Sequence, residues 1–247
     1  MAHIPRLYQA IDFNLTQPQV ILDARNTHHV LHVLRMRLND PIIMFNGKGG
    51  EYHGSITQLT KREVIVTLSS FFPCHTQSSL TMHLGQVIAR GDKMDWIIQK
   101  AVELGVMAIT PLFSERCGVK LSQERSQNRR DHWQSVIVSA CEQCGRDDIP
   151  QLHPALSLSD WLNSCQADLK LIMHPHCSQQ GLSASAEITS VDLLVGPEAG
   201  FSAQEVSLAL QAGFQPIKLG QRILRTETAS LVLISLLQQR WGDFGVF

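Results

Sequence analysis

The sequence lacks a long hydrophobic run and lacks an excess of charge of either sign. Its longest stretch of low polarity, Ala229 to Leu237, is about half as long as a membrane span. The start of the chain has no hydrophobic signal core, and the six cysteines are scattered rather than arranged for disulfides. These features predict a cytoplasmic protein with reduced thiols and no membrane anchor. The net charge of −1 gives no support for binding to nucleic acid.

Sequence fingerprints for common cofactors are also missing. No Gly-x-Gly-x-x-Gly follows a strand-like run, and no Gly-Lys-Ser or Gly-Lys-Thr ends a phosphate loop, which weakens NAD(P) and ATP interpretations. Cys141 and Cys144 have the spacing of a zinc half-site, and His174, His176 and Cys177 could supply further ligands. Structural zinc sites usually take four ligands from two such pairs, so no metal is expected.

The first part of the chain is rich in short strand-like runs, and its pattern changes near residue 73. The strand-like runs are residues 42–45, 52–57 and 64–68. Residues 46–50 carry the asparagine and glycines of a hairpin turn. One helix is expected from about Asn26 to Arg35, with Leu31, Leu34 and Leu38 on its apolar side. We therefore predict a small β-rich module over residues 1–72, followed by a polar linker.

After residue 80, strand-like runs alternate with helical patterns. The predicted strands are Leu80 to Ile88, Val106 to Leu112, Leu169 to Met173, Val191 to Val195 and Phe214 to Leu219. The predicted helices begin near Asp92, Arg125, Ser202 and Thr226. This alternation is typical of an α/β fold, with a parallel sheet covered by helices on both faces, over residues 73–247.

Three of these helices have distinctive patterns. The helix capped by Asp92 has an apolar stripe at Met94, Ile97, Ile98, Ala101 and Val102 and can end at Gly105. Ser202 to Glu205 forms a capping box, with Phe201 and Val206 placed for a hydrophobic staple and Gly213 for the C-terminal end. The last helix, Thr226 to Arg240, is apolar nearly all round, so we expect it to be buried in a core or a subunit interface.

Two glycine-bearing segments lie where a strand is expected to end and a helix to begin. They are Val195 to Ser202 and Leu219 to Ala229. Ligands of α/β proteins usually bind at the carboxyl ends of the strands, so these segments predict a shared small-molecule pocket. The first segment would suit a polar or anionic ligand, although a tight turn without a ligand explains it about as well. Arg225 could orient an anionic or carbonyl-bearing ligand, or it could form only a surface salt bridge.

These two segments resemble the second and third signature loops of the SPOUT methyltransferases. Among these, the chain is most similar to the ribosomal small subunit methyltransferase E family, which methylates N3 of a uridine in the decoding region of 16S rRNA. Further motifs agree in order, at residues 28–35, 90–105, 114–117, 140–146 and 149–150. The resemblance covers essentially the whole chain. Ala199 departs from the pattern, because the family usually has a glycine there.

The resemblance implies features that periodicity does not. It implies a C-terminal trefoil knot, an N-terminal PUA-like RNA-binding barrel, a homodimer, and 16S rRNA within the 30S subunit as substrate. It also implies S-adenosylmethionine as cofactor, and no metal. The cofactor would be held by Met173, His174, Val195, Gly196, Glu198, Gly200, Leu219, Gly220, Ile223, Leu224, Arg225 and Thr226. Two alternatives are another SPOUT enzyme acting on tRNA or on a 2′-hydroxyl, and a non-catalytic RNA-binding assembly factor.

The expected chemistry requires removal of a proton from uracil N3 and stabilisation of the charge that spreads onto O2 and O4. Guanidinium groups aimed at these oxygens would act like an oxyanion hole. The candidate donors are Arg225, Arg116 and Arg146, and the candidate proton acceptors are Glu142 and Glu198. The candidate RNA-binding residues are Arg25, His28, His32, Arg35 and Arg90, although the first four, spaced as one helical stripe, could also be a solvated helix face.

Overall fold

The computed structural model describes residues 4–73, 76–118, 123–177 and 187–245. The chain divides into two compact units. The first unit comprises residues 1–77 and 138–149, and the second comprises residues 78–137 and 150–247. The helix Gln123–Cys144 therefore begins in the second unit and ends in the first.

The first unit contains a five-stranded sheet. Its strands are β1 (Arg6–Tyr8), β2 (Gln19–Ile21), β3 (Pro41–Phe45), β4 (Glu51–Leu59) and β5 (Val64–Phe72). They lie in the order β1-β3-β4-β5-β2, and β3 pairs with β4 as an antiparallel hairpin. The predicted hairpin turn is confirmed, because Gly47 and Gly50 between these strands have φ angles of +79° and +85°.

One apolar cluster fills the first unit. Its buried members come from all five strands and the neighbouring segments: Leu7, Phe13, Val20, Leu22, Val30, Ile42, Met44, Ile56, Val64, Val66 and Leu68. Polar contacts connect the residues after Cys144 to the strands of this unit. Arg6 pairs with Glu51 and also donates to the carbonyl of Gly145 at 3.0 Å, while the Gly50 N–H donates to Asp147 at 2.9 Å.

The helix expected from Asn26 to Arg35 has two parts. A short α-helix, α1 (Ala24–His28), begins at Asp23, whose side chain accepts from the Asn26 N–H. It continues as a π-helical segment, His29–Leu34, which ends at Arg35 with a φ of +51°. A wider π turn changes which side chains share a face, and 3.6-residue periodicity does not predict it.

The predicted apolar side of this helix is wrong for two of its three residues, whereas Leu31 is half-buried and packs against the apolar cluster. Leu34 is exposed and Leu38 is 55% exposed, whereas Asn26 and Val30 are buried. Asn26 turns inwards because its side-chain amide donates to the carbonyl of Tyr8 at 2.8 Å. A polar residue can occupy the inner face when its hydrogen bonds are made there.

The second unit contains a sheet whose strand pairs are all parallel. Its strands are β6 (Thr81–Val87), β7 (Ala108–Phe113), β8 (Gln151–Leu152), β9 (Leu156–Ser157), β10 (Leu169–Met173), β11 (Ser190–Val195) and β12 (Gln215–Ile217). They lie in the order β12-β10-β11-β6-β7-β8, with β9 also paired to β7. The predicted parallel sheet is therefore confirmed, whereas β8 and β9 are additional short strands.

Helices cover this sheet on both faces. They are α2 (Lys93–Glu103), α3 (Gln123–Cys144), α4 (Leu158–Ser164), α5 (Ala203–Gln211) and α6 (Thr226–Trp241). Adjacent residues of a strand point to opposite faces. Gln86 of β6 hydrogen-bonds to the start of α6, while Val87 belongs to the cluster formed with α4 and α5. That cluster is centred on Trp161, whose ring is almost completely buried.

Two of the predicted helix patterns agree with the structure. In α2, all five residues of the predicted apolar stripe are buried, although the Asp92 side chain makes no capping hydrogen bond. In α5, Ser202 and Glu205 form the complete capping box. Gly213 follows its last turn with a φ of +88°.

The last helix, α6, is buried on one side only. Leu233, Ile234 and Leu237 are fully buried, but Val232 and Leu236 are 38% and 42% exposed. The expectation of burial on all sides is therefore not met within a single chain. No helix among the described residues is long and apolar enough to cross a membrane.

The contact between Gly85 and Trp161 gives a test of the packing. A Cβ atom on Gly85 would lie 2.5 Å from the Trp161 ring, which the surrounding sheet holds in place. We expect Gly85→Ala to lower the free energy of unfolding by about 1–3 kcal/mol through overpacking. Urea denaturation measures this loss. Gly245→Ala is the matched control, because its Cβ would have no neighbour within 4 Å, and equal stability of both variants would contradict the prediction.

Candidate functional site

One cavity lies at the carboxyl ends of three neighbouring strands in the second unit. Strands β12, β10 and β11 are adjacent in the sheet, and the residues after each of them line a cavity of about 520 Å³. The contributing segments are residues 173–176, 195–201, 218–219 and 222–226. Small-molecule sites of parallel sheets occur at this edge, and the volume lies in the range of ligand pockets.

Eleven of the twelve residues predicted to bind a cofactor line this cavity. They are Met173, His174, Val195, Gly196, Glu198, Gly200, Leu219, Ile223, Leu224, Arg225 and Thr226. Gly220 does not line it. Gly220 has a φ of +69°, and a Cβ atom there would meet nothing within 4 Å. Its glycine therefore serves the backbone turn.

A buried hydroxyl joins two of the cavity loops. Thr226 is buried and donates to the carbonyl of Gly196 at 2.6 Å. The side-chain amide of Gln86, which is fully buried, donates to the same hydroxyl at 3.1 Å. A Cβ atom on Gly196 would lie 2.9 Å from the Phe201 ring, so the loop passes close to that ring. These contacts hold the loop after β11 against the start of α6.

Glu198 lies at the edge of the cavity in a network of donors. Its carboxylate accepts from Lys93 at 3.0 Å and from the Arg90 N–H at 3.4 Å. Partial burial is the largest single influence and raises its pKa. The hydrogen bonds from its own backbone, Lys93 and Arg90 together outweigh burial and leave the pKa below its usual value. Glu198 is therefore ionised near neutral pH.

The two cavity arginines predicted to be catalytic have different surroundings. Arg116 donates to the carbonyls of Ala199 and Phe201, both at 3.3 Å, and so supports the loop after β11. Arg225 precedes α6, and its side chain is 82% exposed with only a 4.0 Å approach to Glu227. Of the two, Arg225 is the guanidinium more available to a bound molecule.

Glu142 and Arg146 have partners inside the first unit and do not line the cavity. Glu142 accepts from the Tyr8 N–H at 3.1 Å and from Arg25 at 2.9 Å, so both of its oxygens are engaged. Arg146 is buried and pairs with Asp148. Catalytic roles for these two residues remain predictions.

The residues predicted to bind RNA belong to two different units of the chain. Arg25, His28, His32 and Arg35 are exposed, and the rings of His28 and His32 lie 4.8 Å apart. Arg35 is beyond the π-helical segment and so does not continue a regular helical stripe. Arg90 belongs to the second unit.

Several cavity residues were not selected from the sequence. Lys93, His176, Lys218 and Arg222 all line the cavity. Lys93 directly follows the predicted helix cap, and Arg222 lies inside the second glycine-bearing segment. Their positions near the expected strand-to-helix junctions could have identified them as cavity residues. Burial and the neighbouring His176 lower the pKa of His174.

The cysteine pair does not resemble a zinc half-site in the structure. Burial raises the pKa of Cys141 to about 12, and its thiol donates to the carbonyl of Asp148. The Cys141 thiol is therefore buried and already engaged by a carbonyl of the chain. Among the described residues, no group of three or more His, Cys, Asp or Glu side chains is arranged to hold a metal ion.

Comparison with known proteins defines the class first. The model of an RNA methyltransferase domain matches residues 76–238, and the model of an RNA methyltransferase PUA domain matches residues 22–69. The cavity and the parallel sheet lie within the first match. The chain therefore contains an RNA methyltransferase domain.

Individual relatives narrow the class to one family. The ribosomal RNA small subunit methyltransferase E of Buchnera aphidicola from Acyrthosiphon pisum is 36% identical over 98% of this chain and 95% of its own. A Neisseria gonorrhoeae protein of that name, solved with S-adenosyl methionine, is 37% identical with a TM-score of 0.92, covering 98% of this chain and 100% of its own. A Legionella pneumophila methyltransferase solved with bound SAM is 38% identical with a TM-score of 0.94 and the same coverage. The chain belongs to the ribosomal RNA small subunit methyltransferase E family.

Thr226 provides a test of how the cavity is held. We expect Thr226→Val to lower the free energy of unfolding by about 1–3 kcal/mol, because it leaves the Gly196 carbonyl without its buried donor. Thermal and urea unfolding measure the loss. Thr226→Ser keeps the hydroxyl and is expected to retain most of the stability. A valine variant as stable as the serine variant would show that the hydroxyl does not hold the loops.

Proposed function

We propose that this chain methylates N3 of a specific uridine in 16S rRNA, with S-adenosylmethionine as the methyl donor. The observation that carries the proposal is the cavity at the strand ends, where eleven predicted cofactor residues meet. The relatives named above act on small-subunit ribosomal RNA or were solved with this cofactor. The protein is therefore proposed to be an enzyme and not only an RNA-binding assembly factor.

The cavity suits the proposed cofactor chemically. Val195, Leu219, Ile223 and Leu224 offer apolar side chains for the adenine ring and the methylene groups. The backbone of residues 195–200 offers polar groups for the amino-acid part. When bound, S-adenosylmethionine supplies an activated methyl group, so no metal is required.

The side chains of the protein then have to accept the proton of uracil N3 and stabilise the charge that develops on the uracil oxygens. We propose that Arg225 donates to the uracil oxygens, because its guanidinium lines the cavity and is largely exposed. Arg116 would act by holding the loop after β11, since its donors already bind two carbonyls of that loop. Glu198 is the proposed proton acceptor, as the one of the two candidates that lines the cavity.

The lowered pKa of Glu198 makes its carboxylate a weak base, so Glu198 would need help to remove the proton. An ionised carboxylate is available at neutral pH, but proton removal would need the uracil oxygens to be stabilised at the same time. Arg225 would supply that stabilisation. Glu142 or Arg146 could take part only if their pairs with Arg25 and Asp148 opened.

The finer features of the fold follow from the family as proposals. We propose a PUA-like barrel over residues 1–72 and a SPOUT domain with a trefoil knot over residues 73–247. The five-stranded sheet and the all-parallel sheet support these assignments. The exposed residues Arg25, His28, His32 and Arg35 are proposed to contact RNA in a 30S particle, together with Arg90.

Methyl transfer is the direct test of the proposed function. The wild-type chain is expected to methylate 30S particles from a strain that lacks this activity, with the product identified as N3-methyluridine by mass spectrometry of 16S rRNA. Arg225→Gln is expected to lower kcat by about 10²–10³-fold, the effect of removing one donor from an oxyanion hole, while SAM still binds.

Arg129 supplies the control for this experiment. It lies on α3 and does not line the cavity, so Arg129→Gln removes the same charge without touching the site. Its kcat is expected to remain at the wild-type value. A kcat of Arg225→Gln within a few-fold of wild type would contradict the proposed role of Arg225.

A homodimer is proposed to cover the exposed side of α6. Val232 and Leu236 are spaced four residues apart on one helix face, and large apolar side chains at this spacing form a patch. We expect Val232→Glu combined with Leu236→Glu to convert the dimer to monomers in sedimentation at micromolar concentration. Leu208→Glu is the control, because Leu208 is similarly exposed, at 39%, but lies on α5. A wild-type chain that sediments as a monomer would refute the dimer.

A further inference from the structure

The cavity wall carries more positive than negative charge. Of the described residues that line it, five are lysine or arginine and one is a carboxylate, Glu198; the five cations are Lys93, Arg116, Lys218, Arg222 and Arg225. S-adenosylmethionine has one carboxylate, one ammonium and one sulfonium group, so its own net charge is positive. The proposed cofactor therefore does not balance this surplus.

Three of the cations already have partners. Lys93 pairs with Glu198 at 3.0 Å and lies 3.9 Å from Glu227. Arg116 donates to two loop carbonyls. Arg225 approaches Glu227 at 4.0 Å.

Lys218 and Arg222 differ from these three. Within the part of the chain that the structure describes, the side chain of neither residue makes a hydrogen bond or an ion pair. Both belong to the loop between β12 and α6, where Lys218 is half-buried and Arg222 is exposed. Two cations without partners on the wall of one cavity favour the binding of an anion there.

We propose that Lys218 and Arg222 bind a backbone phosphate of the RNA next to the nucleotide that is methylated. The proposal rests on the proposed function, because a uridine whose base enters the cavity brings its flanking phosphates to the cavity wall. Arginine binds phosphate through two parallel N–H groups, and lysine binds it as a point charge. Such contacts fix the position of the chain without reading its sequence. Lys218 and Arg222 are thus positioning residues for the target nucleotide.

The cofactor carboxylate is the competing anion for this pair of cations. The two assignments predict different effects on SAM affinity when the charges of Lys218 and Arg222 are removed. If Lys218 and Arg222 served the carboxylate, their removal would weaken SAM binding. If they serve RNA phosphate, their removal leaves SAM affinity unchanged or raises it slightly, because the cofactor is a net cation.

The test measures methyl transfer to unmodified 30S particles over a range of KCl concentrations, and SAM affinity by calorimetry. For Lys218→Gln combined with Arg222→Gln, we expect kcat/KM to fall roughly tenfold or more, mainly through KM, because two charge-assisted hydrogen bonds to phosphate are removed. The slope of log kcat/KM against log salt should flatten by about 0.7 for each phosphate that is no longer neutralised. Arg222→Lys keeps the charge and is expected to keep the wild-type slope.

Lys100→Gln is the matched control. Lys100 lies on α2 outside the cavity and pairs with Glu103, so this variant changes net charge by the same amount as one cavity substitution. It is expected to keep the wild-type salt slope. An unchanged KM and slope in the double variant, or weaker SAM binding, would overturn the phosphate assignment. Absence of methyl transfer by the wild-type chain would instead refute the proposed function, and the variants would then be judged by their affinity for 30S particles.

Discussion

The cavity depends on one buried hydroxyl shared by two elements of the second unit. Thr226 is the first residue of α6, and Gly196 is the first residue after β11. The hydrogen bond between them ties the start of a helix to the end of a strand, and Gln86 of β6 donates to the same hydroxyl. Because Thr226 and Gln86 are buried, neither side chain can exchange its partner for water without cost. The two loops therefore form one preorganised wall.

Apolar and charged groups have different positions at this wall. The apolar residues and the backbone of the loops define the shape of the cavity, whereas charged side chains are placed around its edge. Among these, Glu198 is held ionised by Lys93 and by the Arg90 N–H. Arg116 is engaged by loop carbonyls, and Arg225 stays exposed. The same wall can thus hold a small cofactor and still present cations to a larger anionic substrate.

Local patterns in the sequence were reliable where local forces decide the structure. The apolar stripe of α2 and the capping box of α5 depend on residues three and four apart, and both were predicted to the residue. The exception is the helix near His28. The inward-facing Asn26 depends on the carbonyl of Tyr8, which is distant in sequence, and the π turn departs from the 3.6-residue period. Periodicity contains no information about that partner.

The sequence alone determined the α/β alternation and the two strand-to-helix loops, because strand ends of a parallel sheet meet at one edge. The family resemblance of the sequence named twelve cofactor residues, of which eleven line the cavity. Only the tertiary structure decided which charges are free to act. Glu142 and Arg146 are engaged by Arg25 and Asp148, while the bond from Thr226 to Gly196 joins residues 30 positions apart. Charge and hydrogen-bond partners depend on distances in space, and spacing along the chain does not specify them.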